Sequence, residues 1–269
     1  MFSQSETWWC TEYADSIHDI LRKREGDRLY FENKAPQIKW RIHLIQLILD
    51  IARKHRFSKE TVHLAVYFTD IFMDNHMVRL WRLHLVALVS LRIAAKIEEK
   101  IFALTRIEAL NATANYSKED YNILETIMLR MLDWDLTVPT AIVFATYYAE
   151  FIITEVDYSK SCDFDSFEHF KNDLKSDVID FVNLSLFDIF MTHSIQPSKL
   201  AAMCLAAVRL KRNILPIWPL NLIRLTRYPW DAIKPDFKKL FDIKLLASSE
   251  QLRLELEVGI SQEAELEFD

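Results

Sequence analysis

Two glycines in 269 residues, Gly26 and Gly259, leave the chain almost without the residue that most readily supplies left-handed turns. A β-rich fold needs such turns at its hairpins, and phosphate-cradling loops need a glycine run. Rossmann, P-loop and kinase folds are therefore excluded as expectations, and an all-helical chain is predicted.

Composition agrees with that prediction. Hydrophobic residues make up 51% and charged residues 27%, enough to bury a large core without reading as disordered. The longest apolar run, Leu83 to Ala95, is broken by His84, Ser90 and Arg92 and is shorter than the roughly 20 residues a bilayer span requires. It reads as a buried helix, and no membrane partner is expected. No basic stretch leads into an apolar segment after Met1, so the expected location is intracellular, in nucleus or cytoplasm.

Charge is unevenly placed. From Ala247 onward seven acids face one base, Arg253, so this tail holds the whole formal charge of −6 and the body is neutral. A neutral body lacks the global positive charge of most nucleic-acid binders, which makes nucleic acid an unfavoured partner. The tail reads as a solvated acidic end.

Reactive constellations are missing too. Cys10, Cys162 and Cys204 have no CxxC or Cys/His ligand spacing, so neither a metal nor a disulfide is expected. The eight histidines form no HExxH, and two glycines cannot build a GxSxG elbow. No cofactor, no catalytic residue and no enzymatic activity are predicted.

Periodicity places the helices. Trp9, Tyr13, Ile17 and Ile20 form one stripe of a helix from about Glu6 to Arg24, closed by Gly26. Pro36 opens a second, with Trp40, Leu44, Leu47 and Ile51 on one face. Ser58 caps a third, apolar all round through Phe72 and therefore central. A fourth, from about Arg79 to Lys96, ends abruptly in charge, as a core helix does when its tip reaches the surface. Further helices are predicted from about Leu104 and from Ser117 to Leu132, and Pro139 restarts the pattern.

The second half echoes the first. Asp70-Ile71-Phe72-Met73 recurs as Asp188-Ile189-Phe190-Met191, and Leu104-Thr105-Arg106-Ile107 resembles Leu222-Ile223-Arg224-Leu225, both with the same offset. Between these anchors lie two alanine-rich helices, Leu85 to Lys96 and Leu200 to Lys211, whose small residues let neighbours approach closely. A tandem repeat of a five-helix module is expected.

Thr61 to Val66, Asp70 and Ala94-Ala95-Lys96-Ile97-Glu98-Glu99 resemble the TLHLAV, D and ASKxEE elements of the cyclin family. Leu184-Ser185-Leu186, Pro197-Ser198, Trp218-Pro219, Leu222 to Arg224, Thr226, Tyr228 and Ile233-Lys234-Pro235 resemble that family's second box. The resemblance implies an N-terminal helix and connector over 1–35, a first cyclin box over 36–135, a second over 139–245 and an acidic tail over 246–269. It also implies a cyclin-dependent kinase as partner, bound by the first box. The implied polar anchors are Lys96 and Glu125, with Glu98 beside Lys96 and Ile93, Ile97, Leu129 and Leu136 supplying apolar contact. Arg41 and Asp70 match the family's internal ion pair.

The family's substrate-docking groove departs from type: MRAIL becomes Trp40-Arg41-Ile42-His43-Leu44, with Leu47 in place of a tryptophan. A patch of Trp40, Leu44, Leu47 and His84 is still expected to take substrate or inhibitor peptides, with Asp50 attracting a basic residue. The short segment before the first helix leaves no room for the usual destruction signals, and an RxxL sequence, Arg253 to Leu256, lies in the tail. The rival reading is a cyclin-fold scaffold of the general-initiation-factor type holding protein or DNA, which would want a basic face and paired cysteines.

Overall fold

The computed structural model describes residues 8–99, 116–160 and 166–237. All regular structure among them is helical: α1 Ala14–Arg24, α2 Arg41–His55, α3 Lys59–Asn75, α4 Leu83–Glu98, α5 Lys118–Met131, α6 Ala141–Ala149, α7 Glu155–Lys160, α8 Phe167–Ser185, α9 Ile189–His193, α10 Pro197–Lys211 and α11 Leu220–Thr226. A further helical stretch covers 230–237. The predicted helix near Leu104, the acidic tail and Cys162 lie outside the described residues.

Local chemistry sets the ends. Ser58 accepts from the Thr61 amide at 3.2 Å, and Ser117 and Asp120 exchange side-chain and backbone bonds in a capping box that starts α5. Pro36 opens a 3₁₀ turn, Pro36–Trp40, that leads into α2 instead of starting the α-helix itself. The first predicted helix is likewise interrupted: Trp8–Cys10 is a separate 3₁₀ turn, and α1 begins only at Ala14. Thr11 causes the break, since its hydroxyl donates to the Trp8 carbonyl at 2.7 Å and competes with helix extension.

Gly26 does not close α1 by a left-handed cap. It sits within the 3₁₀ turn Glu25–Asp27, and no glycine among the described residues has positive φ. Left-handed positions are instead filled by Asn33, Arg56, Asp133, Trp134, Asn213 and Arg227; Arg56 and Arg227 stand at the ends of α2 and α11.

Two hydrophobic cores result. In the first, α3 and α4 are buried almost all round and form the most extensive helix pair, with α2 and α5 packed outside. In the second, α10 is buried from Leu200 to Arg209, and Ala201, Ala202, Ala206 and Ala207 let α6 and α8 approach it closely. The alanine-rich helices α4 and α10 are thus the centres of the two modules. The Asp70/Asp188 echo is a different matter: Asp70 lies inside α3, whereas Asp188 caps the five-residue α9 by accepting from the Met191 amide. That echo is not a structural equivalence.

The N-terminal helix packs on the second module, not the first. Trp8 meets Tyr147 at 4.6 Å between ring centroids, His18 Nε2 and the Tyr148 hydroxyl are 2.8 Å apart, and Arg22 donates to the Thr226 carbonyl at 2.9 Å. Glu25 then accepts from both the amide and the hydroxyl of Ser198 at the start of α10. From there the chain crosses to the first module, where Leu29 donates to the Tyr67 hydroxyl and Glu32 and Lys34 donate to Asp74.

Candidate partner-binding face

Lys96 comes from the last turn of α4 and Glu125 from the middle of α5, and the two helices run side by side in the same direction, with Arg82 beside Asp120 near their starts and Lys96 beside Glu125 further along. Lys96 Nζ donates to Glu125 Oε1. The lysine side chain is 39% exposed and the glutamate 12%, so the carboxylate is set low and the ammonium covers it.

Arg92, one turn before Lys96, completes the cluster, although its sequence context gives no sign of this. Its Nε lies 3.2 Å from Glu125 Oε2 without the angle of a hydrogen bond, and its NH2 donates to Asn122. Among the described residues its Nε and NH1 have no hydrogen-bond partner. One carboxylate therefore serves two cations, leaving local positive charge and donors in excess.

Apolar surface surrounds this cluster. Ile97, Leu129 and Leu136 are half-buried against the first core, while Ile93 is 2% exposed and belongs to that core, supporting the face from beneath. Ile123 and Ile127 on α5 are 53% and 42% exposed, and at two positions to either side of Glu125 they stand on the opposite side of the helix from it. Their four-residue spacing was the available sequence signal.

The two glutamates that follow Lys96 differ. Glu98 is exposed; partial desolvation, then the Glu60 and Glu99 carboxylates, push its carboxyl up. Glu99 turns inward, its Oε1 accepting from the Ser58 amide at 2.6 Å and the Thr61 hydroxyl at 2.7 Å. It thereby ties the end of α4 to the start of α3.

Arg41 and Asp70 meet in the interior. Arg41 Nε and NH2 donate to the two Asp70 oxygens, both at 2.9 Å, in the bidentate arrangement that suits a guanidinium. The pair also reaches the second module: Arg41 NH1 donates to the Leu186 carbonyl at 2.6 Å, and His193 Nε2 lies 2.8 Å from Asp70 Oδ2. Burial opposes ionisation of Asp70, yet Arg41 and His193 together hold its carboxyl below the usual range.

The residues of the expected docking patch separate. Leu44 is buried in the core and forms floor, not surface. Trp40 and Leu47 are half-buried, and Trp40 lies 5.6 Å from His43 between ring centroids. His84 is exposed at the start of α4. Asp50 is engaged by Arg53 at 3.0 Å and Gln46 at 3.3 Å.

No group of three or more metal-ligating side chains occurs among the described residues, and no described helix is long and apolar enough to cross a membrane.

Second-box residues are knitted together around α10. The Ser198 hydroxyl contacts the Tyr228 hydroxyl at 2.9 Å, and Trp218 Nε1 donates to the Tyr228 carbonyl at 2.9 Å. These residues serve the module's own packing.

A viral cyclin from herpesvirus saimiri superposes with a TM-score of 0.67 at 16% identity, covering 84% of this chain and 96% of that one, a likeness of fold. Cyclin-J of Xenopus laevis is 30% identical over 241 residues, 87% of this chain and 62% of the relative. Cyclin-J of Homo sapiens is 30% identical over 240 residues, 87% and 61%. Cyclin-A2 of Homo sapiens is 28% identical over 244 residues, 88% and 52%. The chain thus spans about three fifths of the cyclin-J relatives' length. Trp8-Trp9, Ala65-Val66-Tyr67, Leu83 to Leu88 and Trp230-Asp231 are the features by which the sequence is most similar to cyclin J. The sequence model described as "Cyclin, N-terminal domain" matches residues 16–137, and that stretch, which holds Arg41, Asp70, Lys96 and Glu125, is a cyclin N-terminal domain.

Proposed function

We propose that this chain is a regulatory subunit that binds and activates a cyclin-dependent serine/threonine protein kinase in cell-cycle control, working in nucleus or cytoplasm without a cofactor or catalysis of its own. The observation that carries the reading is the Arg92–Lys96–Glu125 cluster with the half-buried Ile97, Leu129 and Leu136 beside it. A surface ion pair of this kind is worth about 0–1 kcal/mol, so a partner can open it at little cost. Once opened, Lys96 and Arg92 donate to backbone carbonyls at a helix end of the kinase, and Glu125 accepts from its amides. The apolar ring supplies the buried area that such an interface needs.

A kinase acts only when its own C helix is docked so that its glutamate meets the ATP-site lysine. Binding energy from this face holds that helix in place. Beside this function the first module presents a peptide-docking surface around Trp40, Leu47 and His84, through which substrates or inhibitors are selected.

Titration calorimetry against a panel of purified cyclin-dependent kinases tests the binding step. Lys96→Ala and Glu125→Ala are each expected to weaken binding about 30-fold, which corresponds to about 2 kcal/mol. Unchanged affinity in both variants would place the interface elsewhere.

A further inference from the structure

The first module carries a surface that kinase binding leaves unused. Gln37 Nε2 donates to the carbonyls of Met73 and His76, at 2.8 and 2.5 Å, and stitches the 3₁₀ turn Pro36–Trp40 to the segment after α3. His43 on α2 and His84 on α4 lie within one another's field, so the stitched region continues across the seam between those helices.

The charge of this region is one-sided. Residues 36–43 and 76–84 hold Lys39, Arg79, Arg82 and the histidines 43, 76 and 84, besides the buried Arg41, and not one carboxylate. Bordering acids are already engaged: Asp50 by Arg53 and Gln46, and Asp74 by the amides of Glu32 and Lys34. Asp120 stands 3.9 Å from Arg82 and is bound into the capping box of α5. Lys39 and Arg79 form no ion pair among the described residues.

Apolar side chains are interleaved with these cations. Met77 is 89% and Trp81 55% exposed, and Ile42 and Leu80 are exposed as well. Lys39 Nζ lies 5.4 Å from the Trp40 ring and the Arg82 guanidinium 4.7 Å from the Trp81 ring, both in cation–π geometry.

We propose that this surface docks an acidic peptide segment with one or two large apolar anchors, the reverse of the basic peptide that Asp50 alone would attract. Leucine or phenylalanine side chains pack against Ile42, Leu80 and Trp81. Carboxylates meet Lys39, Arg79 and Arg82. The location rests on the peptide-docking reading above; the occupant is set by the charge of these residues.

Fluorescence anisotropy of two labelled peptides against the full chain decides it. Both share one Leu-x-Phe core, flanked by Asp and Glu in the first and by Lys and Arg in the second. The acidic peptide is expected to bind at least about ten-fold tighter, to weaken at high salt, and to lose that preference in an Arg79→Glu, Arg82→Glu variant, whose exposed positions leave folding intact. Equal or tighter binding of the basic peptide would overturn the acidic assignment while leaving a docking surface in place. Binding of neither peptide would overturn both.

Discussion

At the scale of single residues, Asp70 is a buried charge that joins the two modules. It receives Arg41 on both oxygens and His193 on one, and is fully buried. Asp70→Ala would leave a guanidinium uncompensated in the interior and is expected to cost about 3–5 kcal/mol, read from urea melts. A loss below about 1 kcal/mol would show that water replaces the carboxylate. The sequence allowed Arg41 and Asp70 to be paired only through family resemblance, and nothing in it announced His193, which is 123 positions from its partner. Arg92 and Glu99 were equally silent, because a charge on a helix looks the same in sequence whether it faces water or a neighbouring helix.

At the scale of elements, α1 is a helix whose attachment depends on pH. Burial, then the nearby Arg227 and Arg22, lowers His18 to about 4, and burial lowers His63 to about 4 despite its contact with Asn183. Both are neutral in the folded protein, whereas the unfolded chain takes up their protons near 6.5. Between pH 6.5 and 4 the unfolded state therefore binds more protons, so stability is complete above that window and falls as pH drops through it. At about 1.4 kcal/mol per pH unit, each histidine removes roughly 3 kcal/mol across the window. His18→Gln, which keeps a partner for Tyr148, is expected to lose less stability than wild type between neutral pH and pH 5, by about 2 kcal/mol. Parallel losses in the two proteins would contradict a neutral buried His18.

Helix boundaries show how far local signals reach. Ser58 and Ser117 mark their helices because capping is a contact of three residues, fully written in the sequence. The break at Thr11 and the 3₁₀ turn at Pro36–Trp40 escape periodicity, since turns of 3 and 5 residues are too short to separate the 3₁₀ period from that of an α-helix. The Asp70/Asp188 echo misled for a related reason: four residues repeat easily, but burial inside α3 and capping of α9 are set by what surrounds them.

At the scale of the whole molecule, two cores are joined by apolar packing, polar ties and one strap, with Leu186 at the end of α8 buried in the first core. Arg41 bonds to Leu186, Arg28 donates to the Thr192 carbonyl at 3.1 Å, and residues 28–34 run from Glu25 on the second module to Asp74 on the first. These contacts hold the α4/α5 face in a fixed relation to α1. The general shape of this arrangement was legible from the alanine-rich helices and the second-box residues; the docking of α1 on the second module was not, because the helix buries His18 and packs Leu21 there while Tyr13 and Ile20 of the predicted stripe are exposed.

Phosphate transfer by an inactive, purified cyclin-dependent kinase, followed as this chain is titrated in, tests the central claim most directly. The account predicts a saturable rise in substrate phosphorylation with at least one kinase, and a shift of that rise to about 30-fold higher concentration for Lys96→Ala or Glu125→Ala. No rise with any kinase, or an identical rise with both variants, would contradict it.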